Sequence, residues 1–143
     1  MYATRDWHPP DHCSFTSRGG PWPVHCVAGT AGAAFAPSLR LPATASTISK
    51  ATQRDHEAYS AFQGTDLADR LQGAGIERVF IGGLATDYCV LDSVRDALKL
   101  GFDACVLVEC IRAVDARPGD GERAEAEMFR LGARAVRLAD IGA

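Results

Sequence analysis

With 143 residues, 47% of them hydrophobic and 23% charged, and a formal net charge of −3, the sequence has the make-up of one globular domain rather than of a disordered chain. The fifteen Lys and Arg are scattered. Nucleic acid or an anionic membrane as partner therefore lacks the clustered basic charge it requires. No apolar run approaches the ~20 residues of a membrane-spanning helix, and the first residues have no signal-peptide core, which points to the cytoplasm. Five cysteines (Cys13, Cys26, Cys89, Cys105, Cys110) form no C-x-x-C pair, and an odd count without a secretion signal predicts reduced thiols.

Residues 1–42 carry six of the seven prolines, three of the four histidines and both tryptophans, and predict an irregular segment with an unusual polar inventory. Ser46–Ser49 is a weak strand. Thr65 and Asp66 are placed to cap a helix bearing Leu67 and Leu71, which ends at Gly73 or Gly75. Arg78–Gly83 is the clearest strand, a continuous apolar run of the kind covered on both faces by helices. Leu91, Val94 and Leu98 then recur at helical spacing, predicting a helix over about Tyr88–Leu100 stopped by Gly101. A buried strand over Ala104–Val108 and a helix over Glu122–Leu131, with Ala124, Met128 and Leu131 on one side, follow. Ala135–Leu138 is a last candidate strand. Alternation of this kind predicts βαβ units and a parallel sheet.

Asp6-Trp7-His8-Pro9-Pro10 places a carboxylate and an imidazole two residues apart, on one side of an extended chain, and Pro9 favours that geometry at His8. His25 lies seventeen residues beyond His8, behind Pro21 and Pro23. One carboxylate and two imidazoles suit zinc, iron or manganese with coordination positions left open. D-x-H alone is a weak pattern, shared with hydrogen-bonded histidines in surface turns, and His12 is an alternative third donor.

Gly82-Gly83-Leu84-Ala85-Thr86-Asp87-Tyr88-Cys89 joins a strand to a helix, where open parallel sheets bind ligands. A thiol at the start of a helix is favoured as the nucleophilic thiolate, and the same turn can aim backbone N–H groups at an oxyanion. The plainer reading of any free cysteine is a small buried hydrophobe, and Cys105, inside a strand, fits it. Lys50, at the end of the Ser46–Ser49 strand, is a further candidate beside Asp6 and Cys89; most lysines are simply solvated.

Asp6-Trp-His-Pro-Pro, Trp22-Pro-Val-His25, Ser49-Lys50, Tyr59-Ser-Ala-Phe62 and Gly83-Leu-Ala-Thr-Asp-Tyr-Cys89 together resemble the nicotinamidases of the isochorismatase-like cysteine hydrolase superfamily, over nearly the whole chain. The resemblance implies a doubly wound α/β domain spanning residues 1–143, with three layers and a mostly parallel sheet. It also implies hydrolysis of nicotinamide to nicotinate and ammonia, in NAD salvage. Asp6, His8 and His25 would bind a metal, zinc before iron or manganese, that contacts the pyridine nitrogen. Cys89 would be the nucleophile, Lys50 its positioning cation, and the N–H groups of Ala85 and Cys89 the oxyanion site, helped by a cis peptide before Ala85. Trp22 would pack on the pyridine ring, with Phe15 and Tyr59 lining the pocket. The expected partner is a small molecule, for a monomer or a homo-oligomer.

The family begins with a strand ending in a catalytic Asp, followed by a helix, and no such segment precedes Asp6. The chain is therefore expected to be N-terminally incomplete, lacking a proton carrier of a kind worth typically about 10²–10⁴-fold in rate. Other expectations are a related small-amide hydrolase, or an inactive remnant that binds metal or ligand.

Overall fold

The computed structural model describes residues 1–141. It is a mixed α/β structure of parallel strands alternating with helices, and it separates into two compact units, Met1–Thr65 and Asp66–Ala143. No helix among the described residues is long and apolar enough to cross a membrane.

In the first unit, β1 (Tyr2–Asp6) and β2 (Ser46–Lys50) pair in parallel, from Tyr2 opposite Ser46 to Asp6 opposite Lys50. Parallel neighbours need a long crossover, usually a helix. Here residues 7–45 make the crossover without an α-helix, as their prolines predict, using two short 3₁₀ turns, Thr16–Arg18 and Ala31–Ala33. Phe15 and Ala33 of the crossover and Ile48 of β2 are buried. Its first loop is pinned from outside by a ring of ion pairs: Arg18 with Asp55 (2.7 Å), Arg54 with Asp11 (2.5 Å), and Arg54 with Asp55 (3.6 Å). Hydrogen bonds from Arg54 and Arg18 lower the carboxyl pKa values of Asp11 and Asp55 respectively. All four groups are water-accessible, so the ring holds a register more than it adds stability.

The second unit contains α1 (Leu67–Gly73), β3 (Arg78–Leu84), α2 (Leu91–Lys99), β4 (Asp103–Arg112), α3 (Asp120–Arg130) and β5 (Arg134–Val136). The strands form one parallel sheet in the order β3-β4-β5. β4, paired on both sides, buries Ala104, Cys105, Val106 and Ile111, so Cys105 is a core residue.

β3 departs from the expectation that both its faces are covered. It is an outer strand of its sheet, and Phe80 and Leu84 are 46% and 73% exposed. A continuous apolar run reports affinity for burial, not how many neighbours a strand has. α2 buries Ser93, Val94 and Ala97, a stripe turned from the predicted Leu91, Val94 and Leu98. α3 buries Gly121, Ala124 and Met128 and leaves Leu131 39% exposed. Asp66 occupies the N-cap position of α1, and its carboxylate pairs with Arg70 at 2.8 Å. β5 stops at Val136, and Leu138 falls in a 3₁₀ turn where its N–H donates to Glu109.

All three helices stop in the same way. At α2, Gly101 adopts φ +87° and donates to the Leu98 carbonyl (3.1 Å), while Phe102 donates to Ala97 (3.0 Å). That is the Schellman arrangement, and Gly75 and Gly132 repeat it. A side chain at a left-handed position costs about 1–2 kcal/mol. Gly101→Ala should therefore lower unfolding stability by about 1 kcal/mol, with Gly101→Asn losing less. Urea midpoints unchanged in both variants would refute this role for Gly101.

Candidate active site

The parallel register sets Asp6 beside Lys50 at the carboxyl ends of β1 and β2. Lys50 is 4% exposed, and its ammonium donates to Asp6 Oδ1 and, at 2.9 Å, to the Ala58 carbonyl. A charge that deep needs such partners. Beyond β1 the chain stays tied to β2, as the Trp7 N–H donates to the Lys50 carbonyl at 3.0 Å. Pro9 then keeps His8 out of the helical region, and His8 makes a lone parallel bridge with Val27. Its N–H donates to Cys26 (2.9 Å) and its carbonyl accepts from Ala28 (2.8 Å). The bridge brings His25 within 4.8 Å of His8, centroid to centroid.

Asp6, His8 and His25 each present one potential ligand atom, and these atoms lie within 4.8 Å of one another. The imidazole hydrogen bonds decide which nitrogens face that point. A carbonyl only accepts, so His8 Nδ1 donates to Ala51 (3.3 Å) and His25 Nδ1 to Pro23 (2.8 Å). Each ring then keeps its lone pair on Nε2, the usual arrangement of metal-ligating histidines. Burial lowers the His8 pKa and outweighs the raising effect of Asp6, while His12 and His25 lower it further. The neutral form, which can ligate, is favoured.

His12 differs. It is fully buried, its Nε2 donates to the His56 carbonyl (3.0 Å), and its Nδ1 accepts from the Ser14 hydroxyl (2.7 Å) and the Ser14 N–H (3.3 Å). Both ring nitrogens are used, so the donor set closes on His25. His12 instead stacks on His8, with centroids 4.3 Å apart. The sequence leaves His12 as an open alternative and does not point to Ser14 or to the Ala51, Pro23 and Ala58 carbonyls. The His-x-Ser spacing was visible; the carbonyls leave no trace in residue type.

Phe15 is fully buried, edge-on to His8 and His25 at 5.5 Å each. It bridges to Trp22, whose ring lies 6.3 Å from His25 and whose indole N–H donates to the Tyr59 hydroxyl at 2.8 Å. The first unit thus gathers Asp6, His8, His25, Lys50, Phe15, Trp22 and Tyr59.

Ala85 and Cys89 belong to the second unit. β3 ends with a register shift between Ile81 and Gly83, Gly83 at φ +125°, and a cis peptide between Leu84 and Ala85, as the resemblance implied. A wide π-helical turn, Thr86–Val90, follows, closed by the N–H groups of Tyr88 (3.1 Å) and Val90 (3.0 Å) on the Ala85 carbonyl. Cys89 lies in that turn, half-buried, just ahead of α2 rather than as its first residue. It still lies at the N-terminal end of α2, the positive end of the helix dipole.

The chain is 37% identical over 161 residues to a nicotinamidase of Escherichia coli (strain K12), covering 98% of this chain and 76% of that protein. Its fold matches a pyrazinamidase of Pyrococcus horikoshii in complex with zinc, with a TM-score of 0.90, 51% identity, and coverage of 96% of this chain and 74% of that one. It also matches PnC1 from L. infantum in complex with nicotinate, with a TM-score of 0.89, 37% identity, and coverage of 96% and 71%. The isochorismatase domain model matches residues 2–140, across both units and every residue of the candidate site, and the chain belongs to the isochorismatase family.

Proposed function

We propose that the chain is a nicotinamidase, an amidohydrolase that converts nicotinamide to nicotinate and ammonia through a thioester on Cys89. The observation that carries the reading is the cluster of Asp6, His8 and His25, whose donor atoms lie within 4.8 Å. A metal centre of this kind is what distinguishes nicotinamidases from metal-free members of the superfamily. Similarity to relatives described as nicotinamidase and pyrazinamidase, one of them holding zinc, supports it.

Both units form one catalytic domain in this reading, supported by a family match that runs through both. The donor chemistry fits zinc, with iron or manganese also suited to one carboxylate and two imidazoles. Asp6 and the Nε2 atoms of His8 and His25 would hold the ion, which would supply a Lewis-acidic anchor for the pyridine nitrogen. Trp22, fixed by its hydrogen bond to Tyr59, packs against the pyridine ring, and Phe15 backs the histidines that bound the pocket.

The Cys89 thiolate attacks the carboxamide carbon, and the N–H groups of Ala85 and Cys89 receive the negative charge on oxygen. The nitrogen takes up the proton that the Cys89 thiol gave up, the C–N bond breaks and ammonia leaves, and water then cleaves the thioester, returning a proton to sulfur and giving nicotinate. Lys50, anchored by Asp6 and the Ala58 carbonyl, holds the reacting groups in place. The enzyme acts in the cytoplasm on a small molecule, without nucleic acid or membrane.

Cys89→Ala should reduce ammonia release from nicotinamide by at least about 10³-fold while leaving the circular-dichroism spectrum and bound metal unchanged. Retained turnover would remove Cys89 as the nucleophile. His25→Ala should lower the metal-to-protein ratio measured by mass spectrometry to less than half, whereas His12→Ala should retain metal and lose thermal stability instead. Loss of metal from the His12 variant alone would reverse the assignment of the third ligand.

A further inference from the structure

Asp87 lies two residues before Cys89 in the wide turn, and its carboxylate reaches across to another part of the second unit. One oxygen accepts the N–H of Val114 and the other the N–H of Asp115, each at 3.0 Å. Both donors belong to the loop between β4 and α3. Asp115, held at φ +52°, passes the link on, since its Oδ1 accepts the N–H of Gly121 in the first turn of α3 at 2.8 Å. The loop and helix touch there, because a Cβ on Gly121 would stand 2.6 Å from that of Ala113.

Two carboxylates thus connect the cysteine-bearing turn to α3 through three backbone amides. Hydrogen bonds to an ionised acceptor are roughly twice as strong as neutral ones. The turn needs such an anchor more than a regular helix does, because its wide spacing replaces the ordinary ladder of i to i−4 bonds. Asp87 holds the turn against the loop with both oxygens, and Asp115 holds the loop against the helix. Neither is assigned to bind metal, attack substrate or receive the oxyanion.

We infer that Asp87 is a positioning residue for Cys89, and that Asp87 and Asp115 act as one clamp that sets where the sulfur stands. The inference deepens the proposed amidase function and rests on it for its catalytic meaning; the clamp itself is a structural statement that can be read without substrate. A misplacement of about 1 Å at a reacting atom costs on the order of 100-fold in rate.

The test uses the full chain loaded with zinc and compares wild type with Asp87→Ala, Asp115→Ala and the double variant, with Asp87→Asn as a milder second variant. Asp87→Ala should lower kcat on nicotinamide by about 10- to 100-fold with KM within about threefold and metal content unchanged. Asp115→Ala should act in the same direction but less. The double variant should fall close to Asp87→Ala alone, because members of one unit are not additive. Asp87→Asn retains one acceptor but turns an N–H₂ toward a backbone N–H, so it should lie between wild type and alanine.

Hydrogen exchange reads the clamp independently of activity. Peptides covering residues 86–90 should exchange faster in Asp87→Ala while the β4 core around residues 104–106 does not change. In wild type, the amides of Val114 and Asp115 should be protected although their loop is exposed. An unchanged kcat, a loss confined to KM, additive effects in the double variant, or unprotected amides at residues 114 and 115 would each overturn the inference. A wild-type chain that shows the protection yet releases no ammonia would refute the amidase reading and leave the clamp standing.

Discussion

The first unit depends on burying the Lys50 ammonium. At 4% exposure, the ammonium is compensated by Asp6, which the β1–β2 register sets beside it, and by the Ala58 carbonyl, which accepts a further N–H. Removing one partner of a buried ion pair typically costs about 3–5 kcal/mol, since the other charge is left without compensation. The pair is therefore a constraint on geometry as much as a source of stability. Slipping β1 against β2 by one residue would turn Asp6 to the opposite face and strand the ammonium. The carboxylate that satisfies Lys50 through Oδ1 is also the one carboxylate of the three-residue donor cluster. In the proposed function, one side chain thus couples the strand register, the buried cation and the metal.

The histidines are sorted by what their second nitrogen meets. Three imidazoles lie close together, and at His8 burial and the two neighbouring rings lower the pKa despite Asp6, which favours the neutral ring. Carbonyl acceptors then fix the tautomers: those of Ala51 and Pro23 accept the Nδ1–H groups of His8 and His25, while that of His56 accepts the Nε2–H of His12. The same chemical group, a backbone carbonyl, makes two rings available as ligands and takes one away, according to which nitrogen it engages. The difference is geometric and cannot be expressed in residue types.

That limit explains what was legible in the sequence. Asp6, His8 and Cys89 stand in short motifs whose spacing carries their geometry, as extended D-x-H and as a strand-to-helix turn. Gly101 announced the end of α2 because only a left-handed residue closes that helix. The alternation of strands and helices gave the parallel α/β class, while β3 did not reveal its outer place in the sheet. On α2, Ser93 and Ala97 are small enough to be buried beside Val94, while Leu91 and Leu98 stay half-covered. The connection between β1 and β2 was legible only as irregular. Its His8–Val27 bridge, the pairing of Trp22 with Tyr59, and the choice of His25 over His12 are long-range and depend on the folded path of the crossover.

Each unit places candidate site residues at or just past the carboxyl ends of parallel strands, and the reason is common to both. A parallel strand ends with carbonyls to be satisfied and a chain that must leave the sheet, so irregular backbone is unavoidable there. After β1 and β2, that backbone supplies the carbonyls that orient imidazoles and hold an ammonium. After β3, it forms the wide turn around Cys89, and the Asp87 carboxylate takes up loop amides that have no ladder to join. Side-chain function is built from the hydrogen-bonding demands of the strand ends: carbonyls in excess select protonated nitrogens, and amides in excess select carboxylates. That explains why substitutions away from the reacting atoms, at residues that only satisfy backbone groups, should change the placement of those atoms.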